Sequence, residues 1–307
     1  MFHLKTFWFL GAVILCLFSP KFAEGHWFHD AHSHNGDISM DREALIAFYN
    51  ATGGDNWDTN TGWLGDAGTE CSWYGIYCVS SVYGQPVPLA PDCGSYRCYY
   101  LELADNNLQG TLPYQIGNLE KLIRLNLSYN SLTGSIPAEI TDLPRIYSLN
   151  LSNNSLTGSI PSGFTINNPW LAYLNLSNNQ LTGSIPADLG NQKVFNPNFG
   201  SQGSLGSEWD SNGCQLNPLW GQDGRSSPCL STLNLSNNQL SGSIPAELGN
   251  LIKLGSIVLQ DNQLTGSIPP ELGDLLYLRI LYLSNNQLSG SIPAELGNLN
   301  KPYRGAV

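Results

Sequence analysis

Histidine, cysteine and a recurring Asn-Leu-Ser tripeptide are the residues of this 307-residue chain with the chemistry to build a site. His26, His29, His32 and His34 crowd together, and four imidazoles beside a free amine could hold copper or zinc. No carboxylate pair gives that tract a fixed geometry, so neither a metal site nor a cofactor is expected. The remaining histidine, His3, sits beside an apolar leader. A Ser-His-Asp or Cys-His site further along therefore has no imidazole to use. There is no G-x-S-x-G, no H-E-x-x-H and no Gly-rich phosphate loop. Glu102 and Asp105 are close in sequence but expected on an open surface, where nothing separates an acid from a base. An enzyme is not expected.

The cysteines report a compartment. Lys5, the apolar run Phe7 to Phe18 and the small residues around Ala23 and Gly25 have the layout of an export signal, residues 1–25. The run is too short to span a bilayer. Cys16 leaves with the signal, and Cys71, Cys78, Cys93, Cys98, Cys214 and Cys229 remain. An even number in an exported chain reads as disulfides rather than zinc thiolates. Fifteen connectivities are possible, and local pairing (71 with 78, 93 with 98, 214 with 229) is the simplest. The expected location is extracellular or in a cell wall. Net charge is −11 with only 12% charged residues. That disfavours nucleic acid and anionic membrane, which reward Lys and Arg.

Seven copies of one pattern decide the architecture. Leu122 to Asn130 (Leu-Ile-Arg-Leu-Asn-Leu-Ser-Tyr-Asn) recurs at 146–154, 171–179, 230–238, 254–262 and 278–286, with a divergent copy at 98–106. The anchors Leu101, Leu125, Leu149, Leu174, Leu233, Ile257 and Leu281 are spaced by 24 or 25 residues, except for one gap of 59. Leu-x-Leu alternation predicts a short strand with both leucines inward. One copy cannot bury that face alone, so neighbours must stack into a parallel sheet. The Asn that closes each copy should satisfy buried backbone groups of adjacent coils. A glycine bend, an Ile-Pro step and a short helical turn then return the chain.

This L-x-x-L-x-L-x-x-N-x-L-x-G-x-I-P pattern resembles the plant-type leucine-rich-repeat family, which includes receptor-like ectodomains and polygalacturonase-inhibiting proteins. The resemblance covers roughly two thirds of the chain and implies an α/β solenoid: a right-handed leucine-rich-repeat superhelix with a parallel concave sheet and a disulfide-bonded N-terminal cap. Residues 26–38 form a His-rich flexible segment, 39–97 the cap and 98–307 the repeats. In the cap, Ser39 is placed to start a helix running through Tyr49 that Gly53 stops, with Leu45, Phe48 and Tyr49 on one face. Trp57, Trp63 and Trp73 would seal the leucine core. The gap of 59 hides an insertion at about 191–228 that carries Trp209 and Trp220. No cysteine-containing cap follows Leu299, so association through that end is an expectation. A membrane enters only if the chain is a fragment.

The fixed positions are structural, so recognition must lie in the variable ones. The outward strand positions read Tyr100, Glu102, Ala104, Asp105; Arg124, Asn126, Ser128, Tyr129; Ser148, Asn150, Ser152, Asn153; Tyr173, Asn175, Ser177, Asn178; Thr232, Asn234, Ser236, Asn237; Ser256, Val258, Gln260, Asp261; and Ile280, Tyr282, Ser284, Asn285. Tyr100, Glu102, Arg124, Tyr129, Tyr173, Tyr282, Trp209 and Trp220 are the ligand-binding candidates, for a protein, peptide or cell-wall glycan. A receptor ectodomain and an inhibitor of a secreted hydrolase are two forms of this. A structural or ice-binding solenoid, with Asn and Ser rows ordering water, is the alternative. Asn50, Asn126, Asn150, Asn153, Asn175 and Asn234 lie in glycosylation sequons, with Asn50 the favoured acceptor.

Overall fold

A computed structural model describes residues 34–78, 98–120, 122–168, 170–191 and 229–299. Each Leu-x-Leu becomes a short strand, and these strands pair side by side. The main sheet contains β1 (Ile76–Cys78), β2 (Cys98–Glu102), β4 (Arg124–Asn126), β6 (Ser148–Asn150), β8 (Tyr173–Asn175), β10 (Thr232–Asn234), β12 (Ser256–Val258) and β14 (Ile280–Tyr282). Every pair from β2 onward is parallel, and homologous residues face one another: Leu125 lies beside Leu149, Leu149 beside Leu174, and Leu174 beside Leu233. β8 therefore pairs with β10 across the 59-residue gap without a slip. The cap differs, because β1 joins antiparallel to β2.

Six short strands make a second ladder on another side of each coil: β3 (Gln109–Thr111), β5 (Ser131–Thr133), β7 (Thr157–Ser159), β9 (Gln180–Thr182), β11 (Ser241–Ser243) and β13 (Gln263–Thr265). They pair parallel as β3 with β5, β7 with β9 and β11 with β13. After the Pro of most copies the chain makes a short 3-10 helix, such as Ala246–Asn250. The close stacking of those turns explains their glycine. A Cβ on Gly190 would lie 2.0 Å from the Glu247 carbonyl oxygen of the next coil.

The Asn that closes each strand segment works inside the coil. In Asn130, Asn154, Asn179, Asn238, Asn262 and Asn286, Nδ2 donates to a leucine carbonyl of the preceding coil at 2.8–3.0 Å. Oδ1 accepts from a leucine N–H of that coil at 2.9–3.0 Å. Neither backbone group has a strand partner, so the amide takes the place of a ladder bond. Asn106 does the same toward the cap, bonding both the N–H and the carbonyl of Thr59.

The cap seals the first coil. Phe48, Tyr49, Trp57, Trp63 and Trp73 form a chain of ring contacts with centroids 4.9–6.3 Å apart. The polar edge of each indole finds a partner: Trp57 donates to the Thr52 carbonyl, Trp63 to the Tyr74 carbonyl and Trp73 to the Thr69 hydroxyl. Arg42 pairs with the buried Glu70 and lies over the Trp73 ring at 5.3 Å. Burial and the neighbouring Asp55 carboxylate, which accepts from the Tyr49 hydroxyl at 2.8 Å, raise the Tyr49 phenol above its ordinary 10.0. Cys71 and Cys78 are joined as a disulfide. Cys229 is also disulfide-bonded; Cys214 and Cys93 lie outside the described residues. The expectation that Ser39 caps the first helix is corrected: α1 spans His34–Ala51, so Ser39 lies within it. Residues 34–38 extend the turn beyond the amphipathic stretch that marked the helix in sequence. Gly53 does follow its end, in the left-handed region at φ 69°.

One core position breaks the leucine rule. Four of the other helical turns are followed by a buried leucine, Leu119, Leu143, Leu251 or Leu275. In the third copy α2 (Phe164–Asn167) is followed by Asn168, which is fully buried, and neither Oδ1 nor Nδ2 is hydrogen-bonded among the described residues. In the last copy, Leu281, Leu283, Leu288, Leu296 and Leu299 are only partly buried, and Ile292 is exposed.

Candidate functional site

The pleat puts alternate strand residues on the outer face of the main sheet, and parallel register turns them into rows. The first row is Tyr100, Arg124, Ser148, Tyr173, Thr232, Ser256 and Ile280. The second is Glu102, Asn126, Asn150, Asn175, Asn234, Val258 and Tyr282. Members of both rows are partly or fully exposed, while the aliphatic residues between them are buried in every strand from β2 to β12.

The next row departs from the sequence expectation. Ser128, Ser152, Ser177 and Ser236 do not line the open face; each is 3% exposed. Their hydroxyls donate to Oδ1 of Asn126, Asn150, Asn175 and Asn234 at 2.7–2.8 Å. The same oxygen accepts the serine backbone N–H at 3.1–3.3 Å. Asn-x-Ser thus closes a local turn that folds the serine inward, the usual habit of Asn where a strand ends. The four sequons in this row therefore have their serine hydroxyls engaged. Asn50 is exposed near the end of α1.

The residue after each of those serines is left-handed, and so is its counterpart in the other coils. Asp105, Tyr129, Asn153, Asn178, Asn237, Asp261 and Asn285 all have φ between 50° and 58°. Asn and Asp accept that region more readily than other side chains. Tyr129 is the exception in the row, and its ring is 62% exposed. The coil holds the tyrosine in a conformation its type disfavours, with the ring out in solvent.

Three of the sequence candidates come together at the capped end. Arg124 lies 5.4 Å from the Tyr100 ring and 3.8 Å from a Glu102 carboxylate oxygen. Tyr173 lies in mid-sheet and receives a hydrogen bond from Asn175 Nδ2 on its hydroxyl at 3.2 Å. Tyr282 is 55% exposed on the last strand. Trp209 and Trp220 lie outside the described residues. Sequence reasoning missed Tyr77. It pairs with Tyr100 on the outer face and is 53% exposed. The signal was the alternation Ile76-Tyr77-Cys78, which puts Tyr77 opposite the buried Ile76.

Charge clusters at the two ends of the face. Between Arg124 and Asp261 the outward positions carry none. Among the described residues no group of three or more His, Cys, Asp or Glu could hold a metal ion, and no helix is long and apolar enough to cross a membrane.

Residues 97–156 match a family model described as leucine rich repeat, and 170–192, 229–251, 253–275 and 277–299 match a second, single-repeat model of the same description. Among solved structures, the Arabidopsis receptor kinase HAESA ectodomain, solved with a peptide hormone ligand, is similar at 27% identity and TM-score 0.62. That match covers 86% of this chain and 36% of that one. Pollen Receptor Kinase 3 is similar at 27% identity and TM-score 0.55, over 81% of this chain and 96% of that one. The chain spans little more than a third of the length of the HAESA structure. A comparison with curated proteins finds no match.

Proposed function

We propose that this chain, whose repeats are leucine-rich repeats of the plant type, is an exported recognition protein that captures an extended ligand on the outer face of its main sheet. Export rests on the leader and on the disulfides. The observation that carries the reading is the face itself. It is a continuous in-register sheet, uncharged at its centre, with tyrosines open to solvent at both ends. Tyrosine supplies large contact area at small entropic cost, and fixed polar groups supply orientation. A similar ectodomain solved with a peptide hormone supports a ligand-binding role. Such a role needs no catalytic residues.

The test is capture of ligands from a panel of synthetic peptides and cell-wall glycans, with Tyr129, Tyr173 and Tyr282 replaced together by alanine. Binding should fall while thermal unfolding of the solenoid persists. Unchanged binding would remove the sheet face from the mechanism. Inhibition of a secreted wall-degrading hydrolase is the narrower form, and its acidic contacts would be Glu102, Asp105 and Asp261. The water-ordering alternative needs the Asn and Ser rows both open to solvent, and the burial of Ser128, Ser152, Ser177 and Ser236 removes one of them.

A further inference from the structure

We infer that Asn126, Asn150, Asn175 and Asn234 form a ladder of amide donors that binds a neutral, linear, β-linked polysaccharide, one sugar to each coil. This rests on the sheet face being the ligand surface and names the class of ligand that fits it.

The orientation of the four amides is forced. A backbone N–H can only donate, so the atom facing the serine N–H must be Oδ1. The serine hydroxyl then donates to the same oxygen, and the side chain is held from two directions. What remains outward is Nδ2. Asn175 gives one hydrogen to the Tyr173 hydroxyl. For Asn126, Asn150 and Asn234, no group among the described residues accepts from Nδ2, and none of these atoms is a buried unpaired one, so each faces solvent. The donors are fixed before a ligand arrives, which spares the entropy that flexible side chains lose on binding.

Spacing selects the ligand. The four residues pair in direct register, Asn126 with Asn150, Asn150 with Asn175, and Asn175 with Asn234. Neighbouring strands stand ~4.8 Å apart. An extended peptide advances about 3.3–3.6 Å per residue and drifts out of step with that repeat. A β-linked pyranose chain advances by nearly one coil spacing per sugar. The same donor in four successive coils also suits a ligand that repeats, whereas a peptide of varied side chains is read by varied positions.

Charge and surface chemistry narrow the class. The central outward positions, Ser148, Tyr173, Thr232 and the Asn row, are uncharged. The chain as a whole carries −11, which repels uronate and sulfate polymers. Sugar hydroxyl and ring oxygens offer the lone pairs that a donor row needs. The Tyr173 ring gives the apolar face of a pyranose a flat surface.

The experiment measures binding of cello-oligosaccharides and β-mannan oligosaccharides of increasing length to the full chain by titration calorimetry. An intact-mass measurement of the same sample shows whether the four amides are unmodified. Affinity should rise with length to about four sugars and then level off. Asn150→Asp with Asn234→Asp keeps the Oδ1 lock but replaces each outward donor with an acceptor. That pair should weaken binding about tenfold, with thermal unfolding unchanged. Three results overturn the inference: no gain with length, wild-type binding by the Asp pair, or glycans carried on the row. If peptides bind through Tyr129 and Tyr282 while the oligosaccharides do not, the ligand class falls and the sheet-face reading stands. If neither ligand class responds to any face substitution, both fall.

Discussion

Asn126 and Asn130 are four residues apart, have the same side chain, and do opposite work. Asn130 belongs to a row inside the coils, where both ends of each amide are spent on backbone of its own coil and the preceding one. Asn126 belongs to a row on the sheet face, where one end is spent locally and the other meets solvent. The inner row holds neighbouring coils together and the outer row presents a surface. A third setting, Asn168, does neither, since it stands where other coils have a core leucine and its amide pairs with nothing among the described residues. Residue type therefore says little about role here until its place in the coil is known.

The contrast can be tested by substitution, and the largest effect belongs to the inner row. Asn179→Ala removes bonds to the carbonyls of Leu151, Leu176 and Ser177 and to the N–H of Leu156. It should cost about 2 kcal/mol, because the Leu156 N–H is left unsatisfied, while the three carbonyls keep bonds from Asn154, Asn238 and the Asn153 N–H. Chemical denaturation would show it; a loss below about 1 kcal/mol would mean that water replaces the amide. Asn168→Leu should act the other way, gaining about 2 kcal/mol by removing an unpaired buried amide. A loss instead would mean that the amide has a partner. Tyr129→Asn should gain about 1 kcal/mol, since Asn suits φ 57°. It should at the same time reduce ligand capture. A tyrosine whose removal changes neither would be an accident of the repeat. The Asp pair on the outer row stands at the small end of this series for stability and near the large end for binding, which separates the two rows most cleanly.

Much of the fold was legible because a repeat announces itself. Leu-x-Leu at constant spacing predicted the buried row, the parallel sheet and the inner amide ladder, since each follows from one coil needing another to cover it. The start of α1 was not legible: the amphipathic pattern begins after the helix does. The serine row was misplaced by counting alternate residues past the end of the strand. The pleat stops at Asn126, and the Asn-x-Ser turn folds Ser128 inward. Tyr77 was overlooked because its neighbours are cap residues, although its own alternation marks it as outward.

The sequence alone determined the coil, its period, the leucines that fill it and the amides that bridge it, because these depend on contacts repeated at fixed spacing. It also ruled out imidazole catalysis in the repeats simply by lacking the histidines. Only the tertiary structure decided that Ser128, Ser152, Ser177 and Ser236 turn inward, that β8 and β10 meet in register across the insertion, and that Arg124 gathers Tyr100 and Glu102. Those facts depend on how one coil sits against the next, and a contact that is not repeated in every coil leaves no trace in the repeat pattern.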